Sequence, residues 1–180
     1  MKPLRLLVLL VSLLLFWGFW GSSLLPFLGN GVDFDELEYR GDIFYLKGSD
    51  TPYTGKATSR YGKGKLNSRK RKKGNYKNGK PHGLFVKWWS NGTKMYEANY
   101  KDGKKDGLHV EYFGRSQLSH FVKPWSNGQK EEEINYKDGK KDGLETQWYE
   151  NGQKKIETNY KDGRKVGLEA VWYSNGQKRN

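Results

Sequence analysis

The chain contains no cysteine. That excludes disulfides, thiol nucleophiles, thiolate metal sites and lipid attachment to a bacterial N-terminal cysteine, and it is compatible with any redox compartment. Leu, Ile and Val are scarce beyond the first thirty residues, so a conventional thick core is not expected. Apolar spacing of helical period is absent after residue 30. In their place stand aromatic residues, 15% of the chain, together with Gly, Asn and Lys. That mixture suits a thin sheet whose rings cover a single layer.

The chain changes character at about residue 30. Lys2 and Arg5 precede LLVLLVSLLLFWGFW, an uncharged run from Leu6 to Trp20, which has the form of a positive n-region followed by an apolar h-region. Cleavage after a small residue, with Ser23 or Gly31 as candidates, gives a signal peptide. The alternative, which we favour, is an uncleaved anchor over residues 4–28, because a span needs about 20 residues. Lys2 and Arg5 lie before the segment and Asp33, Asp35, Glu36 and Glu38 after it. The positive-inside tendency places the N-terminus in the cytoplasm and the rest outside. The expected location is therefore membrane-anchored on the extracytoplasmic side, in the periplasm or at the cell surface, or secreted if cleaved. Domain boundaries follow: 1–30 signal peptide or anchor, 31–49 linker and leading strand, 50–180 repeats.

Laid against itself, the chain repeats. NYKDGKKDGLETQWYENGQKK begins at Asn135 and NYKDGRKVGLEAVWYSNGQKR at Asn159, with earlier copies from Asn75 and Asn99. The period is 24 residues, from Gly83 to Gly107 and from Gly143 to Gly167, with 36 between Gly107 and Gly143. Each period holds two strand signals. In the first, Leu144, Thr146 and Trp148 alternate with Glu145, Gln147 and Tyr149; Leu84, Val86 and Trp88, and Leu168, Ala170 and Trp172, are equivalent to the first set. In the second, Ile156, Thr158 and Tyr160 share one face. Asn-Gly at 91–92, 127–128, 151–152 and 175–176 reads as a type I′ hairpin turn with positive φ at both central residues. Asn78-Gly79, Asp102-Gly103, Asp138-Gly139 and Asp162-Gly163 reverse the chain again. The expected fold is all-β, a single-layer antiparallel meander of hairpin repeats behind one N-terminal transmembrane or signal helix. At about 4.8 Å per strand, some ten strands make a twisted ribbon roughly 45–50 Å long.

Three irregularities stand out. Four extra residues precede Asn78-Gly79, around the basic run Arg69, Lys70, Arg71, Lys72, Lys73. A 12-residue excess follows Phe113, as a further strand or, preferably, a looped hairpin. The last hairpin is nearly without its second strand, leaving an open edge from Leu168 to Tyr173.

Copies reading YKDGKKDGLxxxWYxNGQKxxE resemble MORN-type repeats and, more closely, the bacterial MORN-variant family; Asp50 to Lys56 resembles the usual lead into its first repeat. The resemblance covers about residues 40–180 and implies a repeat meander without enzymatic chemistry. Bacterial members are often labelled antitoxins, and eukaryotic relatives are linked to membrane lipids and scaffolding. The distorted third unit and truncated last unit depart from the pattern.

Three histidines, His82, His109 and His120, are the only ones present. His82 stands where other copies carry Asp106, Asp142 or Val166, His109 alternates onto the polar face, and no pair has metal-ligand spacing. No Ser–His–Asp arrangement emerges. DGKKDG at 102–107 and 138–143 is explained by turn formation rather than calcium, which needs more oxygen ligands. Asn91-Gly-Thr93 matches a glycosylation sequon, but a tight Asn-Gly turn explains it better. Neither catalysis, nor a metal, nor a small-molecule cofactor is expected.

Two surfaces are candidates for binding. Trp89, Phe113, Tyr149 and Tyr173 recur at one height on one face, as a ladder for sugars or a peptide or, in the plainer reading, as cross-strand packing. Arg69 to Lys73 forms an anionic-ligand patch or a solvated insertion. Without its first thirty residues the chain carries 31 basic and 20 acidic side chains, a net of +11, which favours anionic partners; the interleaved charges are also what a solvated surface shows. The function expected is a non-catalytic, membrane-tethered or exported module for protein or cell-envelope binding or scaffolding. Alternatives are an antitoxin-like inhibitor of a partner toxin, against which the export segment argues, and binding of anionic lipid or glycan. Export argues equally against nucleic acid.

Overall fold

Positive φ, flat alternation and short connections fix the architecture. The computed structural model describes residues 31–114 and 128–179. The apolar segment 1–30, the residues 115–127 and His120 lie outside the described residues. Among the described residues no helix is long and apolar enough to cross a membrane, and the only helical turn is a three-residue 3-10 segment, Phe34–Glu36.

Thirteen strands follow in chain order: β1 (Val32–Asp33), β2 (Leu37–Arg40), β3 (Ile43–Leu46), β4 (Gly55–Tyr61), β5 (Arg69–Lys77), β6 (Lys80–Pro81), β7 (Gly83–Trp88), β8 (Lys94–Lys101), β9 (Lys104–Tyr112), β10 (Lys130–Lys137), β11 (Lys140–Trp148), β12 (Lys154–Lys161) and β13 (Arg164–Val171). From β4 to β13 they form one antiparallel meander, with β6 pairing β5 beside β7. β1 joins the β4 edge in parallel, making the sheet mixed, and β2–β3 form a second, two-stranded sheet. β9 pairs directly with β10, Lys130 opposite Tyr112. The 12-residue excess thus places no strand between them.

The Asp-Gly reversals behave as type I′ turns. Asn78, Asp102, Asp138 and Asp162 have φ near +50° and each is followed by a glycine of positive φ. The Asn-Gly reversals differ from expectation. Only the glycine is left-handed there, and three residues form the loop: the Trp89 N–H donates to the Thr93 carbonyl at 2.8 Å and the Gly92 N–H to the Trp89 carbonyl at 2.9 Å. This is the three-residue loop with a bulge at glycine. Asn91, Asn151 and Asn175 instead accept backbone N–H bonds on their side chains from residues 93, 153 and 177, each at 3.0 Å. An Asx turn supplies a local acceptor and removes the need for positive φ at Asn.

A single layer also understates the fold. At its first end the sheet is covered by the β2–β3 hairpin and the chain that follows. Phe44 and Tyr53 are tied to the β5–β6 turn by backbone bonds, Phe44 N–H to Gly79 carbonyl and Gly79 N–H to Tyr53 carbonyl. Tyr53, Ala57 and Tyr76 form a buried cluster with Val32, Phe34, Leu37, Phe44, Leu46 and Phe85 around it. Tyr76 meets four rings, Phe34, Phe44, Tyr53 and Phe85, with centroids 4.9–6.2 Å away. Gly74 lies under the Phe85 ring, where a Cβ would collide with it. Residues 31–49 therefore carry β1, the 3-10 turn and the covering hairpin.

Burial follows rows rather than faces. One row on the covered face runs through Val32, Ala57 and Gly74 and then Phe85, Ala98, His109, Ile134, Glu145 and Thr158, each directly opposite the next within the two sets. On the reverse face a matching row runs Thr58, Lys73, Val86, Glu97, Val110, Glu133, Thr146, Glu157, Ala170. Both central rows are covered by long neighbours, whereas Leu84, Leu108 and Leu144, expected or equivalent members of the apolar face, remain 38–45% exposed. The open last edge is shorter than expected. Trp172 bridges to Lys178 and the Arg179 N–H bonds to the Val171 carbonyl, while Leu168 stays fully open.

Candidate functional site

Along the reverse face, lysine and aromatic rings alternate. Lys94, Lys130 and Lys154 lie over Tyr112, Trp148 and Trp172 at 5.6–5.8 Å, and each also pairs with the glutamate three residues on, Glu97, Glu133 or Glu157. This i, i+3 pairing links the ring row to the central row and gives each of these lysines a carboxylate partner.

β5 breaks that rule. The four extra residues lie in the Gly62–Ser68 turn, not around the basic run; the run itself is strand, in register with β4. Lys70 stands over Trp88 at 5.8 Å, as its counterparts stand over their rings. Three residues on, however, is Lys73, in the row position held elsewhere by Glu97, Glu133 and Glu157. The run divides between faces. Lys72 lies on the covered face, its Nζ 3.8 Å from the Phe34 ring centroid and its backbone opposite Lys87. Burial, then Arg71 and Lys87, pull the Lys72 pKa down. Arg71 rests over Tyr61, and Arg69 donates to the Ser90 carbonyl at 3.2 Å. Among the described residues, no carboxylate lies within ion-pair range of Arg69, Lys70, Arg71 or Lys73. Such a strand of uncompensated cations can bind anions.

The ring ladder takes a different place. Trp89, Phe113, Tyr149 and Tyr173 each donate their backbone N–H to close a three-residue loop or its counterpart. Tyr61, six residues after Gly55 as Trp89 is six after Gly83, holds the same position. The Tyr61 hydroxyl donates to the Trp88 carbonyl at 3.1 Å, and the Tyr149 hydroxyl to the Trp172 carbonyl at 2.9 Å. Trp89 instead lies against Gly114 of the following unit. These rings strap one hairpin to the next. Only Tyr173, the last, is largely open, at 52%.

A third cluster was not anticipated. His109, expected on a polar solvent face, is 4% exposed in the central row of the covered face. Its Nε2 lies 3.0 Å from Glu111 Oε1 and 3.4 Å from Lys105 Nζ. Tyr96 and Tyr136 flank the ring at 6.0 and 5.8 Å. Glu132 is directly opposite Glu111, and Glu145, also buried, accepts from Lys141 at 2.8 Å and Gln147 at 3.2 Å. Burial lowers the His109 pKa and favours neutral imidazole. Burial and the neighbouring Glu145 raise the pKa of Glu132; at Glu145 burial acts upward but hydrogen bonds from Glu132 and Lys141 outweigh it and hold that carboxyl low. The available signal was His109-x-Glu111, since residues i and i+2 of a strand share a face; a search for paired histidines passes over it. His82 is elsewhere, 3.3 Å from the Asp102 carboxylate.

The MORN repeat variant family model matches residues 81–102 and 141–162, each match running from the start of one hairpin to its Asp-Gly turn. No curated protein matches the chain. MORN repeats are non-catalytic binding repeats that generally associate with proteins or membranes. These two stretches are similar to MORN-variant repeats, and the sheet continues the same hairpin pattern on either side of them.

Proposed function

We propose that the chain is a non-catalytic binding module, tethered through residues 4–28 with its sheet on the extracytoplasmic side, and that the basic β5 strand is its contact with an anionic envelope polymer or protein. The observation that carries this reading is the Lys70–Lys73 rung, two cations where the three later returning strands each pair Lys with Glu. A solvated surface accommodates the Lys–Glu pattern everywhere; two cations on one strand with no carboxylate partner leave a positive field that an anionic partner can use. The Trp88 ring beneath Lys70 adds an aromatic surface from the neighbouring β7.

Full-length protein in detergent micelles, immobilised and exposed to a solubilised envelope fraction, is expected to retain an acidic polymer or protein at low salt and release it as salt rises. Lys73→Glu restores the rung found in the other hairpins, so the fold should be kept while retention falls sharply. Unchanged retention by the Lys73→Glu protein would count against the reading.

A further inference from the structure

We infer that His109, Glu111 and Glu132 form a binding site for one divalent transition-metal ion of the zinc class, built across the β9–β10 pairing on the covered face of the sheet. One nitrogen and two carboxylate oxygens from these residues lie within 4.8 Å of one another. Zinc takes such ligands at about 2.0–2.2 Å, which places donor atoms roughly 3.3 Å apart. The His109–Glu111 pair already lies at 3.0 Å. Rotation of the partly exposed Glu132 side chain is enough to bring in the third ligand.

Three features distinguish this place from a chance meeting of acids. First, Glu111 and Glu132 are direct cross-strand partners, an arrangement that like charges disfavour. Glu132 accepts from Gln147 Nε2 at 3.3 Å, and among the described residues the ammonium within ion-pair range of it, Lys141 at 3.9 Å, is already engaged with Glu145 at 2.8 Å. A cation bound between the carboxylates removes the repulsion. Second, His109 is buried, and its Nδ1 has no hydrogen-bond partner. Its two immediate neighbours in the row are the apolar Ala98 and Ile134, so packing does not require an imidazole there. Third, the set occurs once. The positions of His109 and Glu111 are occupied by Phe85 and Lys87 one period earlier and by Glu145 and Gln147 in the next unit. A mixed nitrogen and carboxylate set favours zinc-like ions over calcium or magnesium, which take oxygen ligands. Lys105, whose Nζ is 3.4 Å from Nε2, has to swing aside and remain over the Tyr136 ring.

The test is calorimetric titration of the chelator-stripped full chain, in detergent micelles, with zinc chloride, and in parallel with calcium and magnesium chloride. Cobalt absorption serves as a ligand-field readout. One zinc per chain is expected, with calcium and magnesium weaker. His109→Ala, Glu132→Gln and Glu111→Gln should each weaken zinc by about tenfold or more, whereas His82→Ala should leave it unchanged. Glu111→Gln and Glu132→Gln alter groups that are not fully buried, so they keep the test open if His109→Ala fails to fold. The inference is overturned if zinc fails to bind, or if Glu111→Gln and Glu132→Gln bind it as tightly as the parent.

Discussion

The two ends of one row of side chains make opposite use of the same scaffold. At the first end, Ala57 and Phe85 pack with the covering hairpin, and the rings of Phe44, Tyr53 and Tyr76 build a small core. In the middle, the next places in that row are His109, Ile134 and Glu145, with Glu111 and Glu132 alongside, and no second layer of described residues covers them. Backbone pairing is continuous through both. The identity of the residue opposite each small side chain therefore decides whether a hairpin gains a core or carries a polar cluster. A repeat sheet tolerates the change because each hairpin depends mainly on its neighbours.

The largest expected effect separates the two regions most clearly. Tyr76→Ala removes a buried ring that meets four others and should cost about 3–5 kcal/mol, measured by urea unfolding with the β2–β3 hairpin released first. Ile134→Ala, fully buried but in the uncovered part of the sheet, should cost less, roughly 2 kcal/mol. Equal losses would show that the covering hairpin contributes no core.

A smaller effect tests the turns shared by both regions. Asp102 has φ +49° and Asp138 φ +50°. Replacing either with alanine should cost about 1 kcal/mol, while glycine at the same place should be nearly neutral. At Asn151, which needs no positive φ, glycine should bring no such relief over alanine, since both lose the bond from the Gln153 N–H and the bond to the Ser174 carbonyl.

The smallest effect is in pH dependence and belongs to the middle region alone. Glu132 has a raised pKa in the folded chain, so its contribution is present below its ordinary value near 4.5 and is lost as pH rises toward 7. His109 has a lowered pKa, so its contribution is complete above 6.5 and is lost as pH falls through the folded value. The two oppose each other between pH 4.5 and 6.5. Thermal melts across that window should therefore show a steeper loss on acidification for Glu132→Gln than for the parent. Parallel curves would mean that Glu132 does not hold its proton in the folded state.

Much of this arrangement was legible in the sequence. Asp-Gly at fixed spacing gave the reversals, and alternation of Ile156, Thr158 and Tyr160 gave the face they share. What was not legible has physical causes. Asn91 and its counterparts were expected at positive φ because Asn-Gly favours type I′ turns, but one additional loop residue lets the Asn side chain satisfy the backbone instead. Leu84 and Leu144 were expected on a buried apolar face, whereas a sheet covered only by its own long side chains buries its central rows on both faces. The register of Arg69 to Lys73 was hidden by four residues in the preceding turn, whereas Tyr61, spaced from Gly55 as Trp89 is from Gly83, was legible as a member of the ring ladder. The apposition of Glu132 with Glu111 could not be read because it depends on pairing across the irregular 36-residue interval.

That pairing is also where the account is most directly open to measurement. The chain has no cysteine, so any crosslink reports only the residues introduced. Val110→Cys combined with Glu133→Cys places two thiols on directly opposed positions of β9 and β10, within disulfide reach, and mild oxidation should join them nearly completely. Val110→Cys combined with Ile134→Cys places them on opposite faces and should not crosslink. Crosslinking of the second pair and not the first would mean that the register is shifted by one residue, and the row containing His109, Ile134 and Glu145 would not exist.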